Sequence, residues 1–151
     1  MWREPEKDIF PVLEELGIGF VPYSPLNRGF LGGDMTEYTR FDSGNDNRNT
    51  LPRFAPDALR SNLMVVELLN RFSRPRGITG AQAALGWLLQ KHDWIVPIPG
   101  TTKLSHLEEN IRAANLAVRP EEWNELEATL SSVEITGDRY PAEQQRQIQR
   151  N

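Results

Sequence analysis

Trp94-Ile95-Val96-Pro97-Ile98-Pro99-Gly100-Thr101-Thr102-Lys103-Leu104-Ser105-His106-Leu107-Glu108-Glu109-Asn110 decides how this chain is read. Its first part is an apolar run of strand length with β-branched Ile95, Val96 and Ile98, and the two prolines argue against a helix. Gly100 to Leu104 form a tight loop. Ser105 and Glu108 fit the Ser-x-x-Glu capping box, which predicts a helix from His106 to about Asn115. A helix N-terminus offers unpaired N–H groups and the positive end of a dipole, and Thr101, Thr102 and Lys103 add hydroxyls and a cation beside it. Strand, loop and helix together predict an anion site of the phosphate-holding kind.

Working outward from this stretch, the same strand–loop pattern occurs once more. Ile18 to Tyr23 reads as a short strand, apolar on both faces as in a parallel sheet covered by helices, and Tyr23-Ser24-Pro25-Leu26-Asn27-Arg28-Gly29 leaves it as a sharp turn. Asn27 tolerates a left-handed backbone and can occupy such a position in that turn. Before this strand, Ile9, Val12, Leu13 and Leu16 follow the i, i+3, i+4, i+7 rule of an amphipathic helix with one buried stripe, starting near Asp8 because Pro11 belongs in a first turn. Between the two strand–loop units lie a long polar loop over 32–56, a helix over Asp57 to Phe72, and a third helix ending near Lys91. The third helix is announced by a Thr79/Gln82 capping box and carries an Ala81, Ala84, Leu85, Leu88 stripe suited to close approach to a sheet. A loop as long as 32–56 is either a mobile surface segment or a lid. Pro120 to Leu130 closes the series as a fifth helix with Trp123, Leu126 and Leu130 inward, and 134–151 reads as a loosely attached polar tail. The fold class is thus α/β, with about two parallel strands and five helices.

Composition excludes several functions. Lys+Arg 17 against Asp+Glu 21 leaves a formal net charge of -4, with no basic excess for nucleic acid and no polybasic membrane anchor. There is no cysteine, so disulfides, thiolate metal sites and a cysteine nucleophile are excluded. The N-terminus lacks the apolar core of a signal peptide and no run approaches a membrane span, which makes the cytoplasm the expected compartment. His92 and His106 are the only histidines, and neither has metal-site spacing. The adjacent pairs Glu14/Glu15, Glu108/Glu109 and Glu121/Glu122 point about 100° apart on helices and form no acid/base dyad.

Val21-Pro22-Tyr23-Ser24-Pro25-Leu26-Asn27-Arg28-Gly29-Phe30-Leu31 and Ile98-Pro99-Gly100-Thr101-Thr102-Lys103, continued by Leu107-Glu108-Glu109-Asn110, resemble the C-terminal half of the aldo-keto reductases. Leu51-Pro52-Arg53-Phe54, Ala81 to Leu88 and Gly137-Asp138-Arg139-Tyr140-Pro141 resemble the same family, in its bacterial, plant and fungal branch. The resemblance implies a (β/α)8 TIM barrel that binds NADPH at the C-terminal ends of its strands and reduces aldehydes and ketones. Ile18 to Pro22 would be similar to strand seven and Ile95 to Ile98 to strand eight, the strands whose loops commonly hold phosphate in such barrels.

Residue by residue, the resemblance implies that Tyr23 stacks on the nicotinamide, that Ser24, Leu26 and Arg28 line the pyrophosphate, and that Gly100, Thr101, Thr102 and Lys103 surround the adenosine 2′-phosphate. Glu109 and Asn110 would approach the adenine, and Lys103 favours NADPH over NADH. Asn27 replaces a glycine usual in the family, and His106 stands where many members have arginine for the 2′-phosphate, a weaker cation at neutral pH. The family's catalytic aspartate, tyrosine, lysine and histidine belong to the first half of the barrel, and nothing here resembles their motifs. A barrel needs roughly 250 residues, so the expectation is an incomplete barrel over 1–133, the C-terminal part of a reductase with its cofactor loops and no catalytic set. Its partners would be a small carbonyl substrate once the other half is supplied, that N-terminal half itself, or a second copy of the chain. The alternative is a non-enzymatic NADP-binding or oligomerising helical module.

Overall fold

The computed structural model describes residues 1–148. Helix α1 (Pro5–Asp8) and helix α2 (Phe10–Leu16) replace the single expected first helix. They are separated at Ile9 because Pro11 has no N–H for the Lys7 carbonyl and its ring crowds that turn. Gly17, at φ 64°, ends α2 with its N–H on Glu14. Next come α3 (Pro56–Ser73), α4 (Gly80–Leu89), α5 (Leu104–Arg112), α6 (Pro120–Ser131) and α7 (Ala142–Ile148).

The core lies among α3, α4 and α6 rather than against a sheet. Leu59, Val65, Val66 and Leu69 of α3, Ala83 and Ala84 of α4, and Trp123 and Leu126 of α6 form one apolar cluster with Phe30, Leu51 and Phe54. Fully burying a side chain such as Leu59 or Phe30 contributes roughly 1.5–3 kcal/mol. The small residues of α4 do permit close approach, but to helices. A Cβ added at Gly86 would stand 2.8 Å from Leu116 Cδ1 and 2.9 Å from the Trp123 ring. The Thr79/Gln82 capping box forms as expected, with Thr79 Oγ1 accepting from the Gln82 N–H (3.1 Å) and Gln82 Oε1 from the Thr79 N–H (3.0 Å).

The two expected strands shrink to one parallel bridge, Phe20 with Ile95. The Phe20 N–H donates to the Trp94 carbonyl and the Val96 N–H to the Phe20 carbonyl, both at 2.9 Å, and no longer ladder forms among the described residues. Pro22, Pro97 and Pro99 remove the N–H groups that would extend it. The expectation that Ile18 to Tyr23 is buried on both faces fails as well, since Ile18, Val21, Val96 and Ile98 are all about half exposed. The stripe of α2 is corrected with it. Ile9, Val12 and Leu16 face solvent and only Phe10 is buried, within an aromatic group in which it meets Phe20 and Trp94 edge-on at 5.1 Å. His92 stacks on Trp94 at 4.4 Å, a packing role.

The loop 32–56 is packed rather than structureless. It contains 3₁₀ turns at Asn47–Thr50 and Pro52–Phe54 and buries Met35, Leu51 and Phe54. The tail expected over 134–151 is also tied down through residue 140; its last three residues lie outside the described part. Asn62, 1% exposed on α3, donates to the Thr136 carbonyl and accepts from the Thr136 N–H, both at 2.9 Å. Asn62 reads from sequence as one more polar position on a helix, yet it anchors the segment that follows α6.

Candidate functional site

Because Phe20 and Ile95 pair in parallel, Tyr23 and Ile98, each three residues further on, leave the pair at the same end, roughly 10 Å beyond the bridge. The loops Tyr23 to Arg28 and Gly100 to Lys103 therefore emerge side by side. They differ sharply in how they are held.

Tyr23 to Arg28 is a built loop. Ser24, Asn27 and Arg28 have φ of 52°, 48° and 56°, and Gly29 follows at 90°. Three non-glycine residues in the left-handed region within five positions are costly, of order 1–3 kcal/mol each, and persist only where the surroundings over-determine them. Here the surroundings do so. The Asn27 N–H bonds the Ser24 carbonyl at 2.8 Å, and the Leu26 carbonyl accepts from both Gly29 and Leu31. Arg48, from the packed loop, donates to the Arg28 carbonyl at 3.2 Å while its own charge meets Asp46. Arg28 itself donates to the Tyr23 hydroxyl (2.6 Å) and to Asn47 Oδ1 (3.0 Å). Asn27 occupies the left-handed position expected of it. The N–H groups of Ser24, Leu26 and Arg28 donate to no acceptor among the described residues.

Beside this loop opens a cavity of about 520 Å³, whose wall includes Tyr23, Ser24, Arg28, Phe20 and Tyr140. Tyr23 is 49% exposed, and its hydroxyl lies 3.3 Å from that of Tyr140. Burial alone would raise the Tyr23 phenol, but the hydrogen bonds with Tyr140 and Ser24 and the charges of Arg28 and Arg139 outweigh it and bring it below the ordinary tyrosine range. Tyr140 is pushed the other way, first by the hydrogen bond to Tyr23 and then by burial. Leu26 is half-buried against the core, so its side chain props the loop from below.

The Gly100 to Lys103 loop is open. Gly100, Thr101, Thr102 and Lys103 are all exposed, and the internal tie is the Lys103 N–H on Thr101 Oγ1 at 3.1 Å. The expected Ser105/Glu108 capping box does not form. Helix α5 begins two residues earlier than expected, with Lys103 at the cap position and no side-chain bond there. Starting at Leu104 places Ser105 inside the first turn, where its hydroxyl cannot cap. His106, Glu109 and Asn110 are half-buried on α5. Glu109 lines a second cleft together with Arg76 and Arg112, while the Gln82 side chain donates to its carbonyl at 3.1 Å. The structure thus gathers Tyr23, Ser24 and Arg28 at one cavity, and the wall of that cavity takes in none of the residues from Gly100 to Asn110.

Arg3, Glu6 and Lys91 also line the cavity and form a closed ionic group with Glu127. Arg3 pairs with Glu6 and Glu127, Lys91 lies 2.9 Å from Glu6 and 3.2 Å from Glu127, and the Trp87 indole N–H donates to Glu127 at 2.9 Å. Two cations balance two carboxylates, so this group leaves no charge for a ligand. Sequence reasoning did not assign Asn47, Arg48, Arg139 or Tyr140 to the site. The one signal for the last two was the Gly137 to Pro141 motif, read only as a family trait.

Among the described residues, no group of three or more His, Cys, Asp or Glu side chains could hold a metal ion, and no helix is long and apolar enough to cross a membrane. Residues 1–131 match the aldo/keto reductase family. Among similar proteins is a probable aldo-keto reductase of Glycine max, 37% identical over 142 residues, which span 93% of this chain and 40% of that protein. Among solved structures, the glycerol dehydrogenase of Gluconobacter oxydans superposes with a TM-score of 0.73 at 22% identity, covering 91% of this chain and 41% of that one. A thermostable aldo-keto reductase in complex with the inhibitor epalrestat gives 0.56 at 25% identity, covering 84% and 35%. The chain therefore spans about two-fifths of the length of these relatives, and its fold derives from the TIM barrel although the sheet, among the described residues, amounts to a single bridge.

Proposed function

We propose, because the chain belongs to the aldo-keto reductase family of oxidoreductases, that it carries the NADPH-holding loops of an aldehyde and ketone reductase without that reductase's proton-transfer groups. The observation that carries this is the Tyr23 to Arg28 loop. Its left-handed residues leave the N–H groups of Ser24, Leu26 and Arg28 without acceptors beside an open cavity, which is how backbone holds a pyrophosphate. When bound, the reduced nicotinamide would supply the hydride. Tyr23, its hydroxyl tied by Arg28 and Tyr140, would present its ring face to the nicotinamide. Arg28 would add charge at the pyrophosphate. Gly100, Thr101, Thr102 and Lys103, on the neighbouring loop, would take the 2′-phosphate, with the free N–H groups at the start of α5 behind them. His106, Glu109 and Asn110 would border the adenosine. Reduction of a carbonyl also needs a proton at the carbonyl oxygen, and no residue at this loop is proposed to give it.

Titration with NADPH, followed by quenching of the tryptophan fluorescence, tests the reading. Binding is expected, weakened about tenfold by Lys103→Ala with NADPH and little changed with NADH. No binding at millimolar NADPH overturns it. Turnover of an aromatic aldehyde by this chain alone would overturn the claim that the proton-transfer groups are missing.

A second reading rests on a different observation. Ile9 before α2, Val12 and Leu16 on α2, Leu104, Leu107 and Ile111 on α5, and Ile18 and Val96 beside the bridge are all exposed, and among the described residues the two bridged segments keep unpaired edges. These faces suit pairing with a second copy or with an N-terminal half-barrel. Sedimentation as a monomer at high concentration would remove the support for self-association.

A further inference from the structure

The structure assigns a second use to the cavity beside Tyr23, and we propose that its wall at Arg53 and Arg139 binds a small organic anion, a carboxylate or phosphate carried on an apolar body. Most partly buried cations elsewhere in the molecule have carboxylate partners: Arg3 with Glu6 and Glu127, Arg48 with Asp46, Arg76 with Glu122, Lys91 with Glu6 and Glu127; Arg28 instead has both its donor groups on Tyr23 and Asn47. Arg53 and Arg139 break that pattern. Both line the cavity, and among the described residues neither has a carboxylate oxygen within 4 Å. Arg53 donates through Nε to the Gly137 carbonyl at 3.1 Å, and among the described residues its terminal nitrogens donate to nothing. Burial and then the nearby Arg139 charge lower its pKa, with Asp138 and Glu4 compensating only in part. The Arg139 guanidinium carbon stands 3.7 Å from the centre of the Trp2 ring and 5.0 Å from that of Tyr140, so cation–π contact holds it, and among the described residues it donates no hydrogen bond. Two guanidiniums brought together with no carboxylate in contact repel each other, and an anion between them removes that cost.

The geometry is rigidly imposed. Asn62 clamps Thr136 through two hydrogen bonds, and at the next residue Gly137 adopts φ 86°. A Cβ at Gly137 would lie 2.8 Å from the Pro52 carbonyl oxygen, so the strap 136–140 touches the backbone that carries Arg53. The strap thus delivers Arg139 and Tyr140 to the wall of the cavity. Behind them the wall is apolar, with Phe10, Phe20, Leu31, Leu69 and Trp87. A volume of about 520 Å³ is in the range that encloses a small-molecule ligand. Cation pair, tyrosine hydroxyls and apolar wall together select an amphiphilic anion of aromatic size. This site uses neither Lys103 nor Arg28 and does not rest on the dinucleotide reading.

The test is calorimetric titration of the full chain, without dinucleotide, using benzoate, its neutral isostere benzamide, and phenyl phosphate. The two anions are expected to bind at least tenfold more tightly than benzamide. Arg139→Gln, which removes no hydrogen bond of the fold, and Arg53→Lys, which keeps a charge but loses the planar fork, are each expected to weaken the anions about tenfold while leaving the melting temperature of Arg139→Gln within a few degrees. Benzamide binding as tightly as benzoate overturns the proposal. So does anion binding that survives both variants and is lost in Arg28→Ala, which would put the anion in the Tyr23 to Arg28 loop instead.

Discussion

The helical slab of α3, α4 and α6 and the edge formed by α2, the bridge and α5 are built from similar amphipathic material with opposite outcomes. In the slab the apolar stripes are buried. Leu59, Val66 and Leu69 meet Ala83, Ala84, Trp123 and Leu126. At the edge, stripes just as regular face solvent, with Leu16 and Ile111 each 62% exposed. An amphipathic pattern specifies that a face is apolar; whether it is buried depends on a partner surface, and slab helices supply one another with theirs. The edge helices flank a sheet that, among the described residues, amounts to one bridge.

The largest effect that would sharpen this contrast comes from Leu59→Ala. It removes a fully buried side chain and is expected to cost about 3 kcal/mol in denaturant unfolding; a cost near zero would mean the slab is not the core. Gly137→Ala is next. It forces a left-handed alanine against the Pro52 carbonyl, and a loss of about 2 kcal/mol is expected, together with a release of the Tyr140–Tyr23 contact visible in tyrosine fluorescence. The ionic group that joins the N-terminal segment to α6 is exposed to acid. Burial alone would raise the Glu127 carboxyl, but hydrogen bonds from Arg3 and Ser131 and the Lys91 and Arg3 charges hold it at about 2 against an ordinary value of 4.5. A depressed carboxyl stabilises above the unfolded value and loses that contribution as pH falls toward the folded one. Stability is therefore expected to drop between pH 4.5 and 2, with a shallower slope in Glu127→Gln. The smallest effect belongs to the edge: Ile111→Ala is expected to change stability by no more than about 0.5 kcal/mol in the monomer. A cost several times larger at high protein concentration, vanishing on dilution, would show that a second copy covers α5.

Much of this was legible beforehand. The Thr79/Gln82 box, the inward Trp123 and Leu126 and the left-handed Asn27 all depend on neighbours within a few residues, and all are found. The Ser105/Glu108 box was misread because a capping motif states how a helix can start, while the chain on either side selects which residue starts it. Asn62 and Thr136, or Arg53 and Gly137, could not be paired from the sequence, because partners 74 and 84 positions apart carry no local signature.

By itself the sequence determined most of the helical segments and the family, since these reside in local spacing and residue type. Tertiary structure alone decided that Tyr23 to Arg28 is locked by Arg48 and Asn47, while Gly100 to Lys103 stays open. It also decided that Arg53 and Arg139 line one cavity. Burial and charge pairing belong to the neighbours a side chain meets in space, and those neighbours come from anywhere along the chain.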